Sequence, residues 1–173
     1  MRGISLIEVL VSLLVFSIGM IGLATLSVLA VQANRGAMVR TQVSFLASGM
    51  IERMRANPVG VWRGLYDRAD YPTSEPSGRC DASQSCTPAD VAQRDRGLWS
   101  DALRTHVPGV ARTSIACDGD RAGYTLQANE VAKRPPYGGS CRMVVRWAEH
   151  GFADDDEHIE EGRLRSFTWM FQP

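Results

Sequence analysis

The sequence predicts an α+β protein, in which one long N-terminal helix precedes a smaller body of helix and short strands. An uncharged run of 26 residues occupies positions 9–34, and no proline occurs before Pro58. After Gly109 the apolar residues change from helical spacing to alternation, which is typical of strands. A chain of 173 residues has room for one modest domain and one accessory element.

The first predicted element is a helix over residues 4–56, which would be roughly 80 Å long at about 1.5 Å per residue. Its first half is apolar on every side and long enough to cross a bilayer. Asn57-Pro58 ends it, because the residue before a proline avoids the helical region. The second half is amphipathic, and the apolar stripe that we expect to pack on the chain's own body consists of Val39, Val43, Leu46, Met50 and Met54.

The N-terminal segment has three interpretations. A cleaved signal peptide would use residues 31–33 as its small-residue site, but its apolar region is usually about 7–15 residues long. A plain signal anchor is the second, and Arg2 supports it only weakly, because Arg35 and Arg40 follow the span. Neither explains why Glu8, a carboxylate, lies in the apolar segment.

The third interpretation comes from the junction itself. Gly3 followed by Ile4-Ser5-Leu6-Ile7-Glu8 resembles the processing site of type IV pilins and pseudopilins. The resemblance implies that a prepilin peptidase cleaves between Gly3 and Ile4 and methylates the new amine of Ile4. It also implies an assembly role for Glu8, whose charge would pair with the terminal amine of a neighbouring subunit.

Three further segments resemble minor pilins of the PilV type: LASGMIERMRANP at 46–58, DRGLWSDALRTHVPG at 95–109, and the strand containing Val145 and Trp147. The resemblance implies a pilin-like fold, whose long helix has a transmembrane, protruding first half and packs on a small antiparallel sheet. The expected divisions are a leader at 1–3, the helix at 4–58 (a transmembrane half at 4–33 and an amphipathic half at 34–58) and a periplasmic head at 59–173.

Within the head, Thr87 and Pro88 indicate a helix start, and Val107-Pro108-Gly109 a stop. Residues 59–90 are rich in Gly, Pro, Ser and Asp, which predicts irregular structure at the surface. We expect the aromatic residues of the last strand, Phe167, Trp169 and Phe171, to lie in the core. The predicted strands are 112–117, 124–128, 141–149 and 164–171.

The four cysteines all lie in the head, at Cys80, Cys86, Cys117 and Cys141. None forms a CxxC motif and no histidine pair accompanies them, which argues against zinc. An even number after a membrane segment predicts two disulfides in an oxidising compartment, with buried free thiols as the alternative. Three pairings are possible. Cys80–Cys86 with Cys117–Cys141 is favoured, because CDASQSC can close a small loop locally.

The sequence contains no constellation that indicates catalysis, a metal or a cofactor. The acidic segment 154–157 lacks the spacing and the turn glycine of a calcium-binding loop, which favours a solvated loop. His106, His150 and His158 have no companion nucleophile in the sequence. The net charge of zero gives no support to nucleic-acid binding. We therefore expect neither an enzyme nor a cofactor-binding protein.

The function implied by the resemblance is that of a minor pilin in the inner membrane of a Gram-negative bacterium, with one membrane span and a periplasmic head. Its partners would be the lipid bilayer, prepilin peptidase, the assembly platform, other minor pilins and the major pilin. It would help to prime pili for twitching motility and adhesion. The alternatives are a minor pseudopilin of a type II secretion system and a signal-anchored periplasmic binding or enzymatic domain.

Overall fold

The computed structural model describes residues 5–74, 80, 85–119, 123, 127–131, 133–148 and 164–173. The chain divides into two compact units, the first ending at Met38 and the second running from Val39 to Pro173. The helices are α1 (Leu6–Ala56), α2 (Pro58–Trp62), α3 (Pro88–His106) and α4 (Ala128–Val131), and the strands are β1 (Arg68–Tyr71), β2 (Thr113–Asp118), β3 (Ser140–Ala148) and β4 (Leu164–Phe171).

The long helix is present as predicted. α1 contains 51 residues and ends at Ala56, directly before Asn57-Pro58. In the first unit its large apolar side chains are exposed, from Leu6 at 80% to Val31 at 45%. By length and composition, α1 is the one helix among the described residues that could cross a membrane.

The second unit is built on a four-stranded antiparallel sheet in the order β1-β2-β3-β4. β2 pairs with β3 so that Ile115 lies opposite Met143, and β3 pairs with β4 along the full length of β4. This is an α+β, pilin-like fold. β2, β3 and β4 begin and end within one residue of the strands predicted at 112–117, 141–149 and 164–171.

The remaining predicted strand, at 124–128, is not found at residues 127 and 128, the part of it that the structure describes. Residues 124–126 lie outside the described part of the chain, as does Glu149, the last residue predicted for β3. Ala128 opens the short helix α4, so the strand prediction is wrong there. The Gln127 backbone N–H donates to the Glu130 carboxylate (2.9 Å), a local contact typical of a helix start.

The prediction that residues 59–90 are irregular and exposed is wrong for the first part of this range. Residues 58–62 form α2, and Asn57 caps it by accepting from the Gly60 N–H (3.2 Å). β1 follows, and both Tyr66 and Tyr71 are completely buried or nearly so. The composition of this range suggested loops, but its aromatic residues are drawn into the core by burial of their large apolar surface.

The core lies between the second half of α1, α3 and one face of the sheet. Trp99 of α3 packs edge-on against Tyr71, with ring centroids 4.9 Å apart. The buried side chains from the three parts include Val43, Met50, Leu103, Ile115, Met143 and Val145.

The prediction that the aromatic residues of the last strand are core residues is wrong for Phe167, which is 45% exposed. Trp169 and Phe171 are half-buried at the margin of the core. Among the described strands β4 lies at an edge of the sheet, so core residues of the second unit cover its inner face only in part.

Two disulfides join Cys80 to Cys86 and Cys117 to Cys141, which are the pairs favoured from the sequence. Cys117 and Cys141 lie directly opposite each other in the β2–β3 register. The second bond therefore joins the two central strands near one end of their pairing, where Cys141 is completely buried.

Candidate functional site

The first turn of α1 contains the carboxylate singled out in the sequence. Glu8 is exposed, and its backbone N–H donates to the Ser5 carbonyl (3.0 Å) as the helix begins. Among the described residues no positive group forms an ion pair with it. The predicted cleavage site between Gly3 and Ile4 lies outside the described residues.

Four hydroxyls of the apolar half form hydrogen bonds inside the helix. The hydroxyls of Ser12 and Ser17 donate to the carbonyls one turn earlier, at 2.7 Å in each case. Thr25 and Ser27 make the same bond at 3.1 and 3.0 Å. Hydroxyls bonded in this way can enter lipid without an unsatisfied donor. Between Ser5 and Asn34, Glu8 is the one charged residue, and no ion pair within the described residues includes it.

The second half of α1, which belongs to the second unit from Val39 onward, packs on the rest of that unit through a buried stripe. Val43, Met50 and Met54 of the predicted stripe are completely buried, while Val39 and Leu46 are partly buried against the core. Ala47 is also completely buried and was not in the predicted stripe. The Trp99 indole N–H donates to the carbonyl of Leu46 (3.1 Å) and connects α3 to α1.

A polar cluster, which we call the junction cluster, joins the end of α1 to α3. Its members are Asn57, Tyr66 and Asp95, which are buried, and Arg53, whose side chain is 43% exposed. Arg53 donates to the Asp95 carboxylate at 3.1 Å, and the Tyr66 hydroxyl donates to its other oxygen at 2.9 Å. The Asn57 amide donates to the Tyr66 hydroxyl (3.0 Å) and to the Pro88 carbonyl (2.9 Å). Buried polar groups that are all bonded fix one arrangement of their elements.

The Tyr66 side chain is held in its neutral form. Burial first, and then the neighbouring Asp95 carboxylate, raise the pKa of Tyr66 well above its ordinary value. Its hydroxyl therefore keeps its proton and serves as the donor to Asp95. Burial also raises the pKa of Tyr71, whose hydroxyl donates to the Tyr66 carbonyl (3.0 Å).

The sequence contained a signal for the junction cluster that its apolar pattern alone did not reveal. Ala92, Trp99 and Leu103 form the buried face of α3, and Asp95 lies on this same face at helical spacing. An acidic residue on an apolar face needs a buried partner. The partners come from a separate helix and a loop, which spacing within α3 could not identify.

The described residues contain no group of three or more potential metal ligands. His106 is exposed at the end of α3, while His150, His158 and the acidic segment 154–157 lie outside the described part of the chain.

Two family models match the chain. Residues 1–24 match the prokaryotic N-terminal methylation motif, which contains Gly3, Ile4 and Glu8. Residues 25–96 match the family described as type IV pilin Tt1218 (Tt1218-like), and this range includes the whole junction cluster. No curated protein and no solved structure gave a match. The two matched ranges adjoin and together cover more than half of the chain, and with the long helix and small antiparallel sheet they show that the chain belongs to the type IV pilins.

Proposed function

We propose that this pilin is a minor pilin of the PilV type, which joins other minor pilins in a complex that primes polymerisation of the major pilin. The methylation motif implies processing by prepilin peptidase. The long apolar helix fits a membrane anchor, and we place it in the inner membrane of a Gram-negative bacterium with the second unit in the periplasm. The residue-level resemblance of 46–58 and 95–109 to PilV-type proteins supports the minor role.

The observation that carries the proposal is the state of Glu8. Its carboxylate is exposed, has no ion-pair partner among the described residues and lies in a segment whose hydroxyls are already satisfied. A charge in a membrane helix costs about 2.5–3.5 kcal/mol at the centre of the bilayer and less near its surface. A neighbouring subunit's terminal amine would offset this cost and fix the axial register of the two helices.

The first experiment determines the terminus of the protein purified from membranes. Mass spectrometry of the N-terminal peptide should find a methylated Ile4. An intact Met1, or a chain that starts at Asn34, would contradict processing as a pilin. Deletion of the gene should then remove surface pili and leave protein secretion intact. Loss of secretion with normal pili would instead indicate a pseudopilin of a type II secretion system.

The second experiment tests the charge of Glu8 directly. Glu8→Val and Glu8→Gln should both insert into the membrane and be cleaved. Neither should enter sheared filaments, because neither side chain has the negative charge that an ion pair with a terminal amine requires. Ser12→Ala is the matched control, since its hydroxyl is bonded only within the helix (2.7 Å to the Glu8 carbonyl). Normal incorporation of either Glu8 variant would refute the pairing role.

A further inference from the structure

The outer edge of β4 is a long and regular strand edge. In the part of the chain that the structure describes, no strand pairs with β4 on the side away from β3. β4 contains eight residues and pairs with β3 without a register shift, from Cys141 opposite Phe171 to Ala148 opposite Leu164. Such an edge presents backbone N–H and C=O groups in the geometry that another extended chain requires.

The other edge of the sheet is different. β1 has only four residues, and its register with β2 shifts between Arg68 and Tyr71. Arg68 and Asp70 form an ion pair on it at 2.8 Å. Short length, irregular register and charge are devices that prevent pairing between sheet edges. The β4 sequence LRSFTWMF has no proline and no acidic residue, and Arg165 is its one charged residue.

Exposed apolar side chains accompany the open edge on both faces of β4. Phe167 is 45% exposed and Met170 is 61% exposed, and these residues point to opposite faces because their positions differ by an odd number. The rings of Phe167 and Trp169 are in contact, with centroids 4.2 Å apart. A strand that docked beside β4 would therefore find apolar surface on each face for its alternating side chains.

We infer that the outer edge of β4 binds an extended apolar segment from a different pilin, which continues the sheet by one strand. The inference rests on the proposed function, because it requires that this chain assembles with other pilins. The backbone groups of the edge select an extended partner, and the exposed Phe167 and Met170 select one with apolar side chains.

A second copy of this chain fits the edge less well. Pairing β4 with β4 in antiparallel fashion needs a two-fold axis, which makes a closed dimer with strands in opposite directions, whereas filaments are built from heterologous contacts. In a copy of the same orientation, β1 would run antiparallel to β4, because three antiparallel pairings separate them. Its four irregular residues would leave half of the eight-residue edge unpaired.

The test is photocrosslinking of the full-length chain in the bacterium that makes it. A photoreactive amino acid is placed at Thr168, which is exposed on β4, and at Ala69, which is exposed on β1 as the matched control. Position 168 should yield a product that mass spectrometry identifies as a different pilin, and position 69 should not. No product at 168, or a product only with this chain itself, would overturn the inference.

A charge variant provides the second measurement. Met170→Lys adds a charge at the exposed edge and should abolish the product from position 168, while Ala69→Lys should leave it unchanged. Formation of the Cys117–Cys141 disulfide, read on non-reducing gels, verifies that each variant folds. A product that persists in folded Met170→Lys would contradict the inference. Pili that depend on the gene without any β4 product would refute this inference alone, whereas normal pili after deletion would refute the proposed function.

Discussion

Removing the Asp95 carboxylate should destabilise the second unit by about 2–3 kcal/mol, most of which arises from one hydroxyl. Asp95→Ala leaves the completely buried Tyr66 hydroxyl without its acceptor, which costs about 1–3 kcal/mol. Arg53 also loses its partner, but its side chain is 43% exposed and can be hydrated, so its share is below about 1 kcal/mol.

Asp101→Ala is the matched control on the same helix. Asp101 pairs with Arg104 at 3.0 Å, and its side chain is 67% exposed, so the loss should stay below about 1 kcal/mol. Both variants replace an aspartate of α3 with alanine, so the gain in helix propensity is the same in each. The difference between their losses of unfolding free energy therefore reports the contribution of a buried, hydrogen-bonded carboxylate over an exposed one.

The assay is urea unfolding of the full-length protein in detergent, followed by tryptophan fluorescence, with the free energy of unfolding taken from the midpoint and slope. A double-mutant cycle of Asp95→Ala with Tyr66→Phe should give a coupling of about 1–2 kcal/mol, because the two groups share one hydrogen bond. If Asp95→Ala is no more destabilising than Asp101→Ala, or the coupling vanishes, the junction cluster does not hold α1 to α3 as described.

Three further predictions use the same unfolding assay. Met50→Ala should cost about 2–5 kcal/mol of unfolding free energy, because the side chain is completely buried. Phe45→Ala, at a side chain 78% exposed, should cost less than about 0.5 kcal/mol. Similar losses in the two variants would show that Met50 does not lie on the buried face of α1. Because the folded state raises the pKa of Tyr66, the unfolded chain loses that proton first, so stability should fall as pH rises above about 10. Tyr66→Phe should reduce this fall, and an unaltered pH profile would count against the burial of the hydroxyl. Replacing Cys117 and Cys141 together by serine should cost about 3 kcal/mol, since their bond closes a loop with a sequence separation of 24; an unchanged midpoint would argue against the bond.

The elements that could be predicted from the sequence are those with strong local signals. α3 begins at Pro88 directly after its cap Thr87, as expected from the sequence, and the structure adds a capping box between Thr87 and Asp90. α1 needed only the absence of proline and the change from uncharged to amphipathic spacing. Such signals depend on neighbours along the chain, so no tertiary information is required.

The elements that were missed depend on contacts between distant residues. α2 is only five residues long and is stabilised at its start by Asn57, whose amide also reaches Tyr66 and Pro88. A side chain at position 60 would collide with the Asn57 amide, so glycine there is tied to this capping contact. The exposure of Phe167 depends on which strand lies at the edge of the sheet, and alternation within a strand does not contain that information.

The structure assigns different kinds of contact to the two halves of α1, and this separates stability from assembly. The half from Val39 onward is bonded to its own unit through the buried stripe and the Arg53–Asp95 pair, so it cannot exchange these contacts without losing stability. The apolar half exposes its side chains and satisfies its own hydroxyls, so it can pass from lipid to neighbouring helices without breaking any bond that it makes. Under the proposed function, changes at Glu8 should therefore alter assembly into filaments and leave the free energy of unfolding unchanged. Changes at Asp95 should lower the free energy of unfolding and leave assembly unchanged, as long as the second unit stays folded.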